Sequence, residues 1–194
     1  MIVLCDIAGV LVRFDDAITV RQLQVQGVAP DKAFQFYRSI EFQDFCRGHR
    51  TAEAYVEALN KKYFLADIPL VTIQQAHDQH FYALNNEVVQ ILTRIPKNQL
   101  AIITDSNVWQ EARIKEFIQL DELSSVIFQS HHTGLLKTDP GCFEEVVKAL
   151  GVPASEIALI DDLVKNIERA KAAGMQTVLF ESAPKLEKDL SYVL

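Results

Sequence analysis

The sequence of 194 residues contains few cysteines, no long apolar run and no block of basic residues. Its three cysteines are an odd number without CxxC spacing, which argues against a disulfide framework and against a structural zinc site. No stretch reaches the ~18–20 apolar residues that span a bilayer. With 19 Lys and Arg against 26 Asp and Glu, the net charge of −7 disfavours binding to nucleic acid or to an anionic membrane. A small phosphorylated ligand is still permitted, because a few local groups can outweigh the average field.

The composition otherwise suits a globular protein. Hydrophobic residues make up 49% of the chain, enough for a packed core, and the length fits one domain or one domain with a modest insertion. The apolar start, residues 1–5, has no basic leader, so we interpret it as a buried strand and not as a signal peptide. We therefore expect a cytoplasmic protein.

Short apolar runs rich in Ile, Val and Leu alternate with amphipathic segments along most of the chain. The runs that predict strands are residues 1–5, 100–103, 126–128, 157–160 and 177–180. The segments that predict helices between the later strands are residues 108–120, 140–150 and 163–173. This alternation favours an α/β fold with a Rossmann-like, doubly wound parallel sheet covered on both faces. Ligands of such sheets bind beyond the carboxyl ends of the strands.

The alternation is interrupted between about residues 14 and 85. Aromatic and apolar residues recur there at helical spacing, without a convincing strand. Thr51 is predicted to cap a helix that runs through Leu59. We expect residues 14–85 to form a small helical cap, inserted into a catalytic core made of residues 1–13 and 86–194.

Polar clusters stand at the ends of the predicted strands or before a predicted helix. They are Asp6, Thr104-Asp105, Lys137-Thr138-Asp139-Pro140 and Asp161-Asp162 with Asn166. Asp6, Asp161 and Asp162 offer the hard oxygen ligands that Mg²⁺ prefers. Lys137 adds a positive charge and Thr104 a hydroxyl donor. A cation, a lysine and a hydroxyl around a carboxylate suit phosphoryl transfer, because the phosphoryl oxygens must be neutralised before a nucleophile approaches.

These residues in this order resemble the haloacid dehalogenase superfamily, chiefly its phosphatases. The matching motifs are Asp6-x-Ala8-Gly9-Val10-Leu11, Thr104, Lys137-Thr138-Asp139-Pro140 and Asp161-Asp162-x-x-x-Asn166. Residues 42–48 and 54–59 are similar to the small helical cap of the subgroup with sugar-phosphate phosphatases and the epoxide-hydrolase phosphatase domain. The resemblance implies a Mg²⁺-dependent hydrolase acting on a small phosphorylated metabolite. Selectivity would come from the cap.

The resemblance also implies roles for individual residues in metal binding. Asp6 would be the nucleophile and a metal ligand, and Asp162 would be the second metal carboxylate. Asp161 would be an outer-sphere partner, although the two neighbouring aspartates could exchange roles. The backbone carbonyl of Ala8 would be a third protein ligand.

Other groups would hold the transferred phosphoryl group. By the same resemblance, these are the side chains of Thr104 and Lys137. Backbone N–H groups near Ala8 and Asp105 would help to bind it.

The sequence departs from the family pattern at Ala8. The family's phosphatases usually carry a second aspartate there, which protonates the leaving group and then activates water; such catalysis contributes about 10²–10⁴-fold. Three explanations stay open: a substrate whose leaving group needs little help, such as an acyl, aryl or anomeric sugar phosphate; a binding or regulatory protein without turnover; or an engineered alanine. The dehalogenase branch fits less well, because it needs no metal and would not be expected to keep the Asp161-Asp162 pair.

Several further residues have a structural interpretation that we favour. His77 and His80 could share a helix face and hold a metal, but without a third ligand a solvated face is expected. His131 and His132 lie in the predicted loop before Lys137 and could approach the site, but a structural role in that loop is expected.

Overall fold

The computed structural model describes residues 1–193, and seven strands define its framework. The strands are β1 (Ile2–Cys5), β2 (Val12–Phe14), β3 (Phe81–Leu84), β4 (Leu100–Thr104), β5 (Val126–Gln129), β6 (Ile157–Asp161) and β7 (Gln176–Leu179). Five of them form a sheet in the order β5-β4-β1-β6-β7, in which every pairing is parallel. All five predicted strands are present, and the predicted doubly wound α/β fold is confirmed.

The central strand, β1, determines where the polar clusters meet. Cys5 at its end lies opposite Ile102 of β4 and Ile160 of β6. The N–H of Asp6 then donates to the carbonyl of Ile160 at 3.0 Å. The residues that follow β1, β4 and β6 therefore emerge side by side at one edge of the sheet.

Helices cover both faces of this sheet. Alternate residues of β1 point to opposite sides, so Val3 and Cys5 join one apolar cluster and Leu4 joins another. The core helices are α7 (Asn86–Leu92), α8 (Val108–Lys115), α9 (Leu120–Leu123), α10 (Ser130–Thr133), α11 (Cys142–Leu150), α12 (Val164–Ala172) and α13 (Ala183–Val193). Within residues 1–193, no helix is long and apolar enough to cross a membrane.

Between β2 and β3 the chain is helical, and we call this part the helical insertion. Its helices are α1 (Asp16–Val25), α2 (Pro30–Ala33), α3 (Gln35–Arg38), α4 (Ile40–Cys46), α5 (Ala52–Leu59), a π-helical turn (Asn60–Phe64) and α6 (Leu70–Asp78). The insertion has an apolar core of its own, in which Phe36 and Tyr55 are fully buried. The hydroxyl of Tyr55 donates to the carbonyl of Phe36 at 2.6 Å, and Thr51 caps α5 as predicted.

The start and end of the insertion are joined by a feature that the sequence pattern did not indicate. β2 and β3 pair antiparallel, although residues 81–84 fell in a segment without a convincing strand. Both strands are short, and their pairing depends on a partner far along the chain, which local periodicity cannot show.

The expectation that His77 and His80 lie on a solvated helix face is wrong. Both side chains are buried, and the His77 ring lies 5.6 Å from that of Trp109, on the core helix α8. Helical spacing predicted that the two histidines share a face, but α6 ends at Asp78, so His80 lies beyond the helix, and spacing cannot show that other segments cover both rings. Burial lowers the pKa of each histidine to about 3, so both rings are neutral at physiological pH.

Candidate active site

The polar clusters predicted from the sequence meet around one buried lysine at the carboxyl end of the sheet. The Nζ of Lys137 lies 2.5 Å from Oδ2 of Asp6 and 2.7 Å from Oδ2 of Asp161. Oxygens of Asp6, Asp161 and Asp162 lie within 4.8 Å of one another. We call these three residues the carboxylate cluster. It joins the turn after β1 to the end of β6, and Lys137 reaches it from the loop before α11.

The two neighbouring aspartates have different surroundings. Asp161 is fully buried, and its oxygens accept from Lys137, from the N–H of Leu163 at 2.8 Å and from Nδ2 of Asn166 at 3.0 Å. Asp162 is partly exposed and borders a cavity. Asp161 is therefore held in place by protein donors, whereas Asp162 faces open space.

The turn after β1 brings its backbone close to Asp162. Gly9 has a φ of +83°, which favours glycine, and a Cβ at this position would lie 2.3 Å from Oδ2 of Asp162. The carboxylate thus occupies the space that a side chain at position 9 would need. This close approach places Ala8, Asp6 and Asp162 around the same opening.

The electrostatics of the cluster suit an additional cation. Burial raises the pKa of the Asp6 carboxyl, with Lys137 acting in the opposite direction and Asp161 reinforcing the rise. Burial alone would lower the pKa of Lys137, but Asp6 and Asp161 raise it, so the lysine stays protonated. With Asp105 included, four carboxylates stand against two ammonium groups, those of Lys137 and Lys165, which leaves an excess of negative charge. With hard oxygens facing a cavity, this donor set fits Mg²⁺.

The structure places Asp105 and Thr104 in different surroundings. Oδ1 of Asp105 accepts from the backbone N–H of Lys137 at 2.8 Å. This side chain therefore positions residues 134–141, between α10 and α11, which we call the lysine loop. Thr104 is buried at the end of β4 and borders a second cavity, of about 230 Å³, with Asp105. It is not among the described residues that border the cavity at Asp6.

The cavity at Asp6 has a volume of about 280 Å³, and we call it the Asp6 cavity. Its lining combines polar residues, among them Asp6 and Lys137, with a group of aromatic residues that we call the aromatic wall. The wall residues are Phe14, Tyr37, Phe42, His80 and Phe81. They belong to the helical insertion or to the strands that bound it. Sequence reasoning considered only His80 among them, as a possible metal ligand with His77, and named none as lining the substrate site.

A further acid faces this cavity without having been predicted. Asp16, at the start of α1, borders the Asp6 cavity, and burial followed by the nearby Asp15 raises its pKa to about 6. It belongs to no family motif, and in sequence it reads as an ordinary acidic residue in the first turn of a helix. Only the folded arrangement shows that it faces the cavity.

An ion pair connects the helical insertion to the lysine loop. Arg47, at the end of α4, donates from Nε to Oδ2 of Asp139 at 2.7 Å and from Nη2 to Oδ1 at 2.6 Å. Asp139 also accepts from the N–H of Leu136 at 2.9 Å. The pair therefore fixes the turn that carries Lys137 against the insertion.

Comparison with known proteins agrees with this arrangement. A family model of haloacid dehalogenase-like hydrolases matches residues 1–174. Drimenol cyclase drtB of Aspergillus calidoustus is 24% identical over 163 residues, which cover 82% of this chain and 31% of that protein. Glyceraldehyde 3-phosphate phosphatase of Pyrococcus furiosus is 33% identical over 92 residues, 47% of this chain and 38% of the relative. The matches thus span well under half of the length of these relatives.

Solved structures show the same fold. A HAD-family enzyme of Bacteroides thetaiotaomicron, in complex with magnesium and inorganic phosphate, is 17% identical with a TM-score of 0.81, and the match covers 92% of this chain and 93% of that one. A HAD-like family hydrolase from Porphyromonas gingivalis is 18% identical with a TM-score of 0.83, covering 98% and 96%. Because the family model spans most of the sequence, the chain belongs to the haloacid dehalogenase-like hydrolase family.

Proposed function

We propose that this protein is a Mg²⁺-dependent phosphatase that transfers the phosphoryl group of a small phosphorylated metabolite to Asp6. The observation that carries this proposal is the contact of the Lys137 ammonium with Asp6 and Asp161, since Lys137 and Asp6 both border the Asp6 cavity. A fixed cation beside a buried carboxylate suits the binding of a phosphoryl group next to its acceptor. The family membership and the relatives named as phosphatases support the same reaction class.

Metal binding is proposed for Asp6, the carbonyl of Ala8 and Asp162. The saturation of Asp161 by Lys137 and other donors supports its place as an outer-sphere partner. When bound, Mg²⁺ would neutralise phosphoryl oxygens and lower the cost of ionising Asp6.

The reaction then follows from the groups on the chain. An oxygen of Asp6 forms a bond to phosphorus as the bond to the leaving oxygen breaks, and Lys137 holds the charge of the transferred group. Backbone N–H groups near Ala8 and Asp105 also bind the transferred phosphoryl group. The hydroxyl of Thr104 is assigned the same role because of its position in the family motif. Water then attacks the aspartyl-phosphate and releases inorganic phosphate, which regenerates the Asp6 carboxylate.

The methyl group of Ala8 limits which substrates this site can hydrolyse. A leaving group that departs without a proton is required, as in acyl, aryl or anomeric sugar phosphates. The aromatic wall of the Asp6 cavity, with Phe14, Phe42 and Phe81, favours the aryl esters among these. We assign the wall to a cap made of residues 14–85, above a core of residues 1–13 and 86–194.

A second candidate is a protein that binds phosphorylated ligands without turnover, and Ala8 is the observation that favours it. An aspartate-to-alanine variant of the Bacteroides enzyme is also solved with magnesium and inorganic phosphate. That structure supports the idea that both ligands can be kept when an aspartate is lost.

A panel of phosphates tests the proposal and separates the two candidates. Release of phosphate from acetyl phosphate, phenyl phosphate, cyclohexyl phosphate and glucose 1-phosphate would be measured with Mg²⁺, for the wild type and for Asp6→Asn. We expect the wild type to hydrolyse acetyl and phenyl phosphate and Asp6→Asn to be inactive. If both proteins are inactive on every compound, while phosphate still binds by calorimetry, the binding candidate replaces the enzyme.

A further inference from the structure

A second group of potential metal ligands lies outside the carboxylate cluster. Glu111 of α8 faces His131 and His132 of α10, and Oε2 of Glu111 lies 3.1 Å from Nε2 of His131 and 3.9 Å from Nε2 of His132. One ligand atom from each residue lies within 4.8 Å of the other two. His131 is almost fully buried, whereas 60% of the His132 side chain is exposed.

The hydrogen bonds of His131 determine which of its nitrogens can bind a cation. Nδ1 of His131 lies 3.0 Å from the backbone carbonyl of Ser106. A carbonyl oxygen only accepts, so Nδ1 carries the proton and donates it. In the neutral ring, Nε2 then directs its lone pair at a carboxylate oxygen of Glu111. Two acceptors at this distance repel each other unless a cation stands between them.

A proton or a metal ion could supply that positive charge. With a proton, the contact is an ion pair between His131 and Glu111, whose other oxygen, Oε1, already lies 2.9 Å from Nζ of Lys115; with a metal ion, both atoms are ligands of one cation. A histidine whose other nitrogen donates to a backbone carbonyl is the usual arrangement for a metal ligand. The contact with Ser106 therefore prepares His131 for metal coordination.

We propose that Glu111, His131 and His132 form a site for Zn²⁺ or a similar transition-metal ion, distinct from the carboxylate cluster. Zinc bonds of about 2.0–2.1 Å in tetrahedral geometry place neighbouring ligand atoms about 3.3 Å apart. The contact between Glu111 and His131 already matches this spacing, and the exposed ring of His132 is free to move closer. Water completes the coordination on the exposed side.

The ion would stiffen the loop that positions the lysine. Ser130, next to His131, accepts from the N–H of Ser106 at 2.8 Å and donates to its carbonyl at 3.0 Å. Ser106 follows Asp105, whose side chain holds the backbone of Lys137. A metal that joins α8 to α10 would therefore fix the loop after β4 without entering the Asp6 cavity.

Binding of Zn²⁺ itself, measured by calorimetry in excess Mg²⁺, tests the site. We expect one Zn²⁺ per chain in the wild type and in Asp162→Asn, which alters only the carboxylate cluster. His132→Ala and Glu111→Gln should weaken binding at least about tenfold. His132 is exposed, so its replacement should leave the fold intact, and His49→Ala, at another exposed histidine, should bind as the wild type does.

Spectroscopy of the Co²⁺-loaded protein adds a second measurement. We expect the intense visible bands of tetrahedral Co²⁺ with nitrogen ligands, and their loss in His132→Ala. Equal Zn²⁺ affinity in the wild type and His132→Ala would overturn the proposal. So would the absence of Zn²⁺ binding together with nitrogen NMR signals of a doubly protonated His131 ring at neutral pH.

Discussion

At the scale of single residues, the methyl group of Ala8 decides which leaving groups the proposed reaction accepts. Ala8→Asp would place a carboxyl group at the opening of the Asp6 cavity, beside the nucleophile. We expect this variant to hydrolyse cyclohexyl phosphate about 10²–10⁴-fold faster than the wild type, because an alkoxide needs a proton to leave. Phenyl phosphate should gain much less, since phenoxide is a better leaving group. Steady-state rates on the two esters measure the difference.

The matched control is Ala8→Asn, which has nearly the same size and cannot donate an acidic proton. If the asparagine variant gained as much on cyclohexyl phosphate as the aspartate variant, proton transfer at position 8 would not explain the gain.

Asp16 is expected to cost stability at neutral pH. Its pKa in the folded state, about 6, lies above that of an ordinary aspartate. The folded protein is therefore most stable, with respect to this group, below pH 3.8, where the carboxyl is protonated in both states. That stability is lost as the pH rises through 6 and the buried carboxyl ionises. Asp16→Asn should raise the free energy of unfolding by about 1–3 kcal/mol at pH 7.5, with the gain disappearing towards pH 4. Urea denaturation at both pH values measures this.

Asp31→Asn, at a surface acid with no such burial, serves as the control and should change stability little at either pH. An equal gain for Asp16→Asn at pH 4 and at pH 7.5 would contradict the assignment of the effect to ionisation of Asp16.

At the scale of elements, the contact between α4 and the lysine loop depends on Arg47 and Asp139. The pair is bidentate and mostly buried, with 16% and 18% of the two side chains exposed, so solvent screens it weakly. A double-mutant cycle with Arg47→Ala and Asp139→Ala should give a coupling energy of about 1–3 kcal/mol in the free energy of unfolding.

The exposed pair of Glu145 and Lys148 on α11 gives the comparison. Their side chains are 61% and 76% exposed, and the same cycle there should give a coupling of about 0–0.5 kcal/mol. Similar values for the two pairs would mean that the contact between the insertion and the loop contributes no more than a surface pair.

The burial of His77 and His80 makes the protein sensitive to acid. His77 and His80 are neutral in the fold, with pKa values of about 3, so the unfolded chain binds more protons and stability falls as the pH drops through 6.5. Each histidine should remove about 1.4 kcal/mol between pH 7.5 and 5.5. His77→Leu should remove the part of this pH-dependent loss of stability that is due to His77. The substitution breaks no hydrogen bond, because neither ring nitrogen of His77 has a hydrogen-bond partner among residues 1–193.

Denaturation curves at the two pH values check this expectation for His77→Leu. His49→Gln, at an exposed histidine, should keep the full loss of stability on acidification. A fall in stability as steep in His77→Leu as in the wild type would contradict the account.

Sequence predicted the elements whose pattern is local and missed those that depend on distant partners. Five apolar strands were identified because each reads as a short apolar run; the inner strands β4 and β6 are buried along their whole length, whereas the edge strands β5 and β7 are partly exposed. The pairing of β2 with β3, the burial of His77 under Trp109 and the exposure of Asp16 to the cavity all depend on segments far apart in the chain. The motif residues Asp6, Lys137 and Asp161 were found in advance, since strand ends meet in any doubly wound sheet.

At the scale of the whole molecule, Mg²⁺ should shift the folding equilibrium. The carboxylate cluster exists only in the folded state, so a ligand that binds it stabilises that state by mass action. We expect Mg²⁺ at a hundredfold excess over its dissociation constant to add about 2.7 kcal/mol to the free energy of unfolding. Asp162→Asn should lose most of this gain, whereas Asp121→Asn, at an exposed acid, should keep it. A wild-type Tm that does not change with Mg²⁺ would contradict metal binding at the cluster.

The central position of β1 in the sheet has a consequence for the order of events during refolding. Asp6 and Asp161 are far apart in the sequence, and Lys137 must enter between them. Their contact closes a very long loop, and contacts of high sequence separation are slow to form. The three groups can meet only after both β4 and β6 have docked on β1. Recovery of Mg²⁺ binding after dilution from denaturant should therefore lag behind recovery of helical signal and mark the completion of the sheet.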